Sequence, residues 1–327
     1  MPRSQQTGAA PLSDPLGHPE RNLHPLVRYP YEAAGAVSRL AVKLAPPGRS
    51  KLLRTLVSRR GLLERYESWA LSNRDVSRPL LWVHAPSVGE GLQALPVIQR
   101  LRRARPDVQL AYTFYSPSAE SFAATTGAAF FDYLPFDSAS EMERALDALR
   151  PTAIVFSKLD VWPVLATTAA SRGVKLGLLS ATVPESSRRR SRLALLALRD
   201  AYASLDSVGA ISPNDAERLL GMGVRSEALI VTGDTRYDQV WGRATAPNVK
   251  RDALAARYAD DRLTLVAGST WPADEKRLLV AWSRLRKEVP AVRLVIAPHE
   301  LTRQHLTAIE KWAKASSLSL SHTSDAE

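Results

Sequence analysis

The sequence predicts an α/β protein whose parallel sheet is covered by helices on both faces. From Leu80 onward, short apolar runs alternate with amphipathic stretches, an alternation typical of repeated strand–helix units. With 327 residues, 45% of them hydrophobic, the chain is long enough for two ordinary domains. The alternation pauses near Gly233 and restarts near Leu263. The sequence therefore predicts two α/β domains and excludes a disordered protein.

The amino-terminal region, before the alternation begins, has a different composition. Residues 1–25 are rich in Pro, Ser and Gly and predict a disordered tail. Within residues 26–78, the patterns at Tyr31–Leu44 and Lys51–Trp69 predict two basic amphipathic helices. Such helices either lie on an anionic membrane or pack against the next domain, and the pattern favours neither. Neither reaches the roughly 20 uncharged apolar residues of a membrane span, and no cleavable secretion signal is visible.

The amino-terminal domain is predicted to occupy residues 79–240. Its predicted strands are Leu80–Ala85, Val108–Tyr115, Phe130–Leu134, Thr152–Phe156, Val174–Ser180, Val208–Ile211 and Leu229–Thr232. Its predicted helices are Leu92–Ala104, Ala139–Leu149, Val161–Ser171, Ser191–Ala203 and Asn214–Met222.

The second domain is predicted to occupy residues 241–327, after a linker at Trp241–Lys250. Its predicted elements are the strand Leu263–Ala267, a helix from Pro272 to Lys287, the strand Val292–Ala297 and a helix from Leu301 to Ala315. Two or three strands are too few for a sheet of ordinary size. The second domain is therefore predicted to be incomplete in this chain.

The charge balance points to an anionic partner. The chain carries 44 Lys and Arg against 33 Asp and Glu, a net charge of +11. This excess favours phosphate groups on a nucleic acid, a membrane or a phosphorylated substrate. Much of it lies in two arginine clusters, at residues 100–105 and 188–192. Because neither an RNP-like aromatic strand nor a zinc finger accompanies them, we do not expect a nucleic-acid partner.

The sequence predicts no metal site. Cysteine is absent, which excludes disulfides, thiolate nucleophiles and Cys-based metal sites. The six histidines have no metal-ligand spacing, and the best local pair, His299 and His305, is off-face for a helix.

The most informative segment is the strand, turn and helix start from Leu80 to Gly91. An apolar run stops at a Pro/Ser/Gly turn and delivers Glu90 into the first turn of the following helix. The free N–H groups and the helix dipole favour an ionised carboxylate there. An ionised carboxylate can take a proton from an alcohol. Because Glu is also common at helix starts, the pattern leaves both a general base and a simple helix-start residue open.

A second polar cluster follows the strands predicted in the second domain. Ser269 and Thr270 precede a helix with Pro272 at its first position, and either hydroxyl is a candidate for the N-cap. Hydroxyl and free N–H groups at a helix start also form an anion site suited to phosphate. Pro298 and His299 occupy the equivalent position after the next strand, which predicts a nucleotide half-site. Neither segment is a Walker loop or a GxGxxG fingerprint, which disfavours kinases and dehydrogenases.

Five segments together resemble one family. They are HAPSVGEG (84–91), SKLDVWPVL (157–165), VTGDTRYDQV (231–240), AGSTWPADE (267–275) and APHE (297–300). Their order and spacing are similar to those of the bacterial 3-deoxy-D-manno-octulosonic acid (Kdo) transferases, over about residues 80–301. The resemblance implies a GT-B architecture, in which two Rossmann-like domains flank a central cleft, with the acceptor on the first domain and CMP-Kdo mainly on the second.

The resemblance also implies an activity. It implies inverting transfer of Kdo from CMP-Kdo to the lipid A precursor in lipopolysaccharide biosynthesis, without a cofactor or metal. It places the protein at the cytoplasmic face of the bacterial inner membrane, peripheral or amphipathically anchored, with the anionic membrane surface as a partner.

Carried over residue by residue, the family's proton acceptor is Glu90. We assign stabilisation of the leaving phosphate to Ser269 and Thr270 with the helix start behind them. The other donor-site candidates are Glu275, Pro298 and His299. The acceptor-site candidates are Ser87, Gly89, Asp160, Arg188 and Arg189.

The chain departs from the family pattern at three places. Many members have a Glu-Thr-Glu-Leu-Trp-Pro run where this chain has residues 157–163, so that Asp160 retains one carboxylate and Lys158 reverses a sign. The family's Pro-Arg pair falls on Pro298 and His299, so a permanent charge becomes a titratable one. Family members also continue past the position of Glu327 with a glycine-rich segment and an Asn/Glu-bearing helix, which predicts a half-built donor site.

Three interpretations therefore stay open. The first is a Kdo transferase, the second a non-catalytic relative deficient in its donor site, and the third a GT-B transferase that uses another nucleotide sugar. A general phosphate or nucleic-acid binder is the outsider.

Overall fold

A computed structural model describes most of the chain in two compact units, Met1–Ala244 and Thr245–Glu327. The described residues are 33, 35, 37–38, 40–46, 51–247, 252–253, 255–256 and 258–323. The predicted disordered tail, residues 1–25, lies outside them. Among the described residues, no helix is both long enough and apolar enough to cross a membrane.

The first unit is built on a parallel sheet that, in its described part, has seven strands. They are β1 (Leu80–His84), β2 (Gln109–Phe114), β3 (Phe130–Tyr133), β4 (Ala153–Ser157), β5 (Lys175–Ala181), β6 (Ser207–Ala210) and β7 (Leu229–Val231). Their order is β3-β2-β1-β4-β5-β6-β7, and every neighbouring pair is parallel. The chain order reverses between β1 and β4. In open α/β sheets, ligands bind beside the carboxyl ends of the strands at such a switch point.

Both faces of this sheet are covered. All six residues of β2 are buried, although successive side chains of a strand point to opposite faces. From residue 51 onward, where the chain is described without a gap up to residue 247, the helices are α1 (Lys51–Val57), α2 (Leu62–Asn73), α3 (Val88–Ala104), α4 (Glu120–Ala123), α5 (Ala139–Leu149), α6 (Pro163–Ser171), α7 (Arg192–Ala203), α8 (Pro213–Gly221) and α9 (Thr235–Thr245). The predicted alternation of strands and helices is confirmed, with ends that differ by a few residues. The predicted linker is wrong at its start, because α9 continues to Thr245.

The predicted single helix at Lys51–Trp69 is also wrong, because the chain turns between α1 and α2. Gly61 precedes α2 in the left-handed conformation (φ 60°), which glycine adopts without steric cost. The turn lets α2 pack on the sheet. Leu62, Leu63 and Tyr66 are buried in the core of the first unit, and the Tyr66 hydroxyl donates to the Tyr133 carbonyl at 2.8 Å. Of the two alternatives for this helix, packing on the domain is the one observed.

The second unit contains a smaller α/β arrangement. The strands β8 (Thr264–Thr270) and β9 (Arg293–Pro298) form a parallel pair, each followed by a helix, α10 (Pro272–Glu288) and α11 (Arg303–Ala315). Leu279 and Trp282 of α10 and Ile309 of α11 are buried. The rings of Trp282 and Trp312 meet edge to face, with centroids 6.0 Å apart.

Candidate active site

Glu90 lies at the switch point of the first unit, in the first turn of α3. Ser87 is the N-cap of α3, where its hydroxyl accepts from the Gly89 N–H at 3.2 Å and donates to Glu90 Oε2. The other oxygen, Oε1, pairs with Lys158 Nζ at 3.2 Å. The Glu90 side chain keeps 17% of its surface exposed. Both carboxylate oxygens are therefore fixed while the group remains open to solvent.

The pKa of Glu90 lies below the ordinary value of a glutamate. Burial opposes ionisation, but hydrogen bonds from Ser87, from its own backbone N–H and from Lys158 outweigh it, together with the charge of the lysine. The carboxylate is therefore ionised at neutral pH, which is the state that accepts a proton.

The backbone around Glu90 is tied to β4. The Ser157 hydroxyl, fully buried, donates to the Glu90 carbonyl at 2.9 Å. The next residue along α3 must be glycine, because a Cβ on Gly91 would lie 2.4 Å from the Phe122 ring and 2.5 Å from the Tyr112 hydroxyl. The first turn of α3 therefore packs directly against the side chains of Phe122 and Tyr112, with no room for a side chain at position 91.

His84, at the end of β1, is buried and neutral. Burial lowers its pKa to about 3. Its Nε2 accepts from the Trp162 indole N–H at 2.9 Å, and its Nδ1 lies 3.0 Å from the Thr113 hydroxyl. Both ring nitrogens of His84 are therefore engaged in contacts within the first unit.

Asp160 and Arg189, two acceptor-site candidates, face each other. Arg189 Nη2 lies 2.6 Å from Asp160 Oδ1, and its Nη1 donates to the Leu159 carbonyl at 2.8 Å. Arg188 is exposed. The structure thus splits the predicted arginine pair, with one guanidinium turned inward onto a carboxylate and the other facing solvent.

Sequence reasoning missed Arg59, which is only 5% exposed. Its guanidinium lies over the ring of Tyr115 at 4.3 Å and over the ring of Tyr133 at 5.0 Å. Tyr115 in turn stacks on Trp162, with centroids 5.5 Å apart, and Trp162 holds His84. A continuous stack therefore runs from the amino-terminal region to β1. The sequence carries no local signal for this contact, since Arg59 and Trp162 are distant in the chain.

The VTGDTRYDQV segment reaches the same region through Thr235, the first residue of α9. Its hydroxyl donates to the Gln93 carbonyl of α3 at 2.7 Å and lies 2.6 Å from the Ser180 hydroxyl. Asp234 pairs with Arg236, whose Nε lies 2.8 Å from Oδ2. The motif thus anchors α9 against α3, one turn beyond Glu90.

In the second unit, Ser269 forms a bulge at the end of β8. Gly268 pairs with Ala297 and Thr270 with Pro298, so Ser269 is the extra residue, in the left-handed conformation at φ 58°. The Ser269 hydroxyl lies 2.8 Å from Nδ1 of His299, whose ring stacks on Trp271. Both Ser269 and His299 are exposed.

The N-cap predicted for α10 is wrong. Trp271 occupies the cap position, and Asp274 accepts from its N–H at 2.9 Å, while Pro272 takes the first helical position as predicted. Neither Ser269 nor Thr270 caps the helix, because the bulge turns their hydroxyl groups toward His299 and Glu275.

Thr270 and Glu275 belong to a buried polar group. The Thr270 hydroxyl donates to Glu275 Oε1 at 2.7 Å, and His305 Nε2 lies 2.9 Å from both Glu275 oxygens. All three residues are buried. Glu275 therefore holds the end of β8 to α11, and the groups of this cluster open to a ligand are those of Ser269 and His299.

No cluster of three or more metal-ligating side chains occurs among the described residues.

Comparison with solved structures identifies the fold. The UDP-GlcNAc 2-epimerase from Neisseria meningitidis, bound to UDP-GlcNAc, aligns with a TM-score of 0.54 and 17% identity, over 74% of this chain and 70% of that chain. The UDP-GlcNAc 2-epimerase from Methanocaldococcus jannaschii aligns with a TM-score of 0.53 and 14% identity, over 75% and 74%. The chain has an α/β fold of the GT-B type, similar to that of these epimerases.

Sequence comparison then identifies the family. Residues 58–239, more than half of the chain, match the family described as 3-deoxy-D-manno-octulosonic-acid transferase (kdotransferase). The chain belongs to this family of glycosyltransferases. The 3-deoxy-D-manno-octulosonic acid transferase of Haemophilus influenzae is 24% identical over 230 residues, 70% of this chain and 53% of the relative. That of Bordetella pertussis is 34% identical over 163 residues, 48% and 38%. The chain thus spans about half the length of the curated relatives it matches, or less.

Proposed function

We propose that this protein transfers Kdo from CMP-Kdo to the lipid A precursor, with Glu90 as the general base. The observation that carries the proposal is the ionised Glu90 carboxylate, held at both oxygens at the carboxyl edge of β1 and β4. Family membership supports the sugar, since the relatives are named for Kdo transfer.

The proposed reaction is a single inverting displacement. Glu90 takes the proton from a glucosamine hydroxyl of the acceptor, and that oxygen attacks the anomeric carbon of Kdo from the face opposite CMP. The new carbon–oxygen bond forms as the bond to the CMP phosphate breaks. The proton ends on Glu90 and the negative charge on the departing CMP, so the step needs neither a cofactor nor a metal.

On the donor side, the exposed groups Ser269 and His299 are the candidates for contact with CMP-Kdo. Ser269 and the start of α10 offer a hydroxyl and helix N–H groups to the leaving phosphate. Thr270 and Glu275 act through the backbone of β8, because their side chains are buried and bonded to each other. Pro298 ends β9 beside them.

Two of the acceptor-site candidates are exposed. Gly89 lies in the same helical turn as Glu90, and Arg188 precedes Arg189, which pairs with Asp160. Arg188 is the candidate for a phosphate of the lipid A precursor, since a guanidinium binds phosphate through paired N–H groups. Ser87 serves Glu90 directly, through its hydrogen bond to the carboxylate. We further propose that the protein works as a peripheral protein at the cytoplasmic face of the inner membrane.

The decisive test is the Glu90→Gln variant in an assay of CMP-Kdo and lipid A precursor that reports product mass. Because the amide cannot take up a proton, we expect transfer to fall by about 10²- to 10⁴-fold. CMP-Kdo binding, measured by calorimetry, should change little. The matched control is Glu227→Gln, which alters an exposed glutamate paired with Arg225 and should transfer at the rate of the unsubstituted protein. Unchanged turnover by Glu90→Gln would remove the residue from this role.

The identity of the donor has its own measurement. We expect CMP-Kdo, and not UDP-sugars, to raise the melting temperature of the protein. Stabilisation by a UDP-sugar alone would assign the protein to another nucleotide-sugar transferase, and stabilisation by neither would favour a relative that lacks donor binding.

A further inference from the structure

Lys158 is the residue whose side chain pairs with the Glu90 carboxylate. It follows the last residue of β4 and adopts a left-handed backbone conformation, with φ 67°. Its N–H donates to the Leu179 carbonyl of β5 at 2.8 Å, which fixes this conformation. From there its Nζ reaches Glu90 Oε1 at 3.2 Å.

This conformation is unusual for a side chain of this size. A residue with a Cβ is sterically disfavoured in the left-handed region, and such residues concentrate at functional sites. The ion pair is a second observation, independent of the backbone conformation. The Lys158 side chain pairs with the Glu90 carboxylate although 43% of its surface is exposed to solvent. A lysine that served only solubility would need neither feature.

The groups that surround Glu90 carry no other positive charge that the structure records in contact with it. Ser87 approaches from the turn before α3 and is uncharged. His84 from β1 is buried and neutral, and Tyr112 from β2 is a buried phenol whose pKa burial raises. Within the described residues, the ion pair of Glu90 is with Lys158. The electrostatic state of the carboxylate therefore depends on this lysine.

We propose that Lys158 is a positioning residue for Glu90, which fixes the orientation of the carboxylate and keeps it unprotonated under mildly acidic conditions. The proposal rests on the proposed role of Glu90 as the general base. A base that is already protonated cannot accept the proton of the acceptor hydroxyl, so the lysine extends the active range toward acid.

The test is the pH dependence of transfer in Lys158→Met, which keeps the length of the stem and removes the charge. We expect the acid limb of kcat/KM to move upward by about one pH unit, the lower end of the range for a close opposite charge because the pair is half exposed. Below that limb the variant should be about tenfold slower than the unsubstituted enzyme at a given pH. Lys158→Arg should keep the limb in place.

The matched control is Lys175→Met. Lys175 forms a pair of similar length with Asp206, 3.0 Å, at the start of β5 and therefore at the opposite edge of the sheet. Lys175→Met removes the same charge from the protein but leaves the Glu90 ion pair intact. The acid limb of this variant should therefore coincide with that of the unsubstituted enzyme. An acid limb that stays fixed in Lys158→Met, or that moves equally in both lysine variants, would overturn the proposal.

A readout that does not need turnover separates this proposal from the proposed function. In protein labelled with ¹³C at the glutamate carboxyls, the resonance absent from Glu90→Gln belongs to Glu90, and its titration should move upward in Lys158→Met. If that shift occurs but no Kdo transfer is seen, the positioning contact stands and the proposed function fails. If Glu90→Gln abolishes transfer and the titration does not move, the function stands and the role of Lys158 fails.

Discussion

At the scale of single residues, the electrostatic environment of Glu90 includes a buried histidine, His84, that the fold keeps uncharged. His84 lies in β1, a few residues before Glu90, and its imidazole is fully buried between Trp162 and Thr113. A charged imidazole there would lose its hydration, and its second proton would meet the indole N–H that already donates to Nε2. The nearest carboxylate oxygen, Asp160 Oδ2, is 3.9 Å from Nε2, beyond hydrogen-bond distance. The fold therefore holds His84 neutral, whereas it lowers the pKa of the Glu90 carboxyl and keeps that group ionised.

This burial predicts a specific loss of stability in acid. Unfolded His84 binds a proton below about pH 6.5, whereas folded His84 does so only near pH 3, so the unfolded state gains protons as the pH falls. We expect the free energy of unfolding to fall, relative to His84→Gln, by about 1.4 kcal/mol per pH unit below about pH 6.5. Urea denaturation of both proteins across this range measures the difference, and parallel pH curves would contradict it.

Single residues also show where sequence reasoning stops. Glu90 was predictable because its position depends on a local pattern, a strand followed by a tight turn and a helix start. Lys158 as its partner was not, since only the pairing of β1 with β4 brings the two residues together. Arg59 was missed for the same reason, because its aromatic neighbours are distant in sequence.

At the scale of elements, the main correction concerns the amino-terminal helices. The hydrophobic pattern of Lys51–Trp69 is continuous, but the helix is interrupted before Gly61, and α2 packs on the sheet in a new direction. Tyr66 anchors this packing, since its ring lies against Phe130 at 4.6 Å between centroids and its hydroxyl reaches the Tyr133 carbonyl. Periodicity predicts that a helix forms, whereas its end depends on what the helix packs against.

The anchoring role of Tyr66 predicts the effect of Tyr66→Phe. The ring contacts remain, but the buried Tyr133 carbonyl loses its partner, so we expect the free energy of unfolding to fall by about 1–2 kcal/mol. The control is Tyr237→Phe, because the Tyr237 side chain is 77% exposed on α9 and its hydroxyl can hydrogen-bond to water instead. Chemical denaturation of both variants decides the point, and equal stabilities would contradict the anchoring role.

At the scale of the whole molecule, the arginines that contribute to the excess positive charge differ in their exposure to solvent. Several arginines are committed to internal contacts, among them Arg59 and Arg189. Arg188, Arg190 and Arg192 face solvent beside the exposed side chains of Leu193 and Leu196 on α7. Exposed apolar and basic groups together are typical of a surface that contacts an anionic membrane.

This surface predicts a loss of vesicle binding in the double variant Arg188→Ala and Arg190→Ala. At about 1 kcal/mol for each cation near the lipid, affinity for anionic vesicles should fall by roughly 30-fold at low salt. The matched control is Arg100→Ala with Arg103→Ala, which removes the same charge from the exposed surface of α3. Sedimentation with vesicles measures both. An equal loss in the two double variants would show that only net charge matters.

The sequence by itself determined the α/β class, the strands and most of the longer helices, and the position of Glu90 at a helix start. These features depend on hydrophobic periodicity and turn residues, which act over a few neighbouring positions. The tertiary structure decided the strand order, the switch point between β1 and β4, and the partners of each charged group. Those depend on contacts between residues far apart in the chain, so Lys158 beside Glu90 and Glu275 beside His305 become visible only when the sheets are assembled.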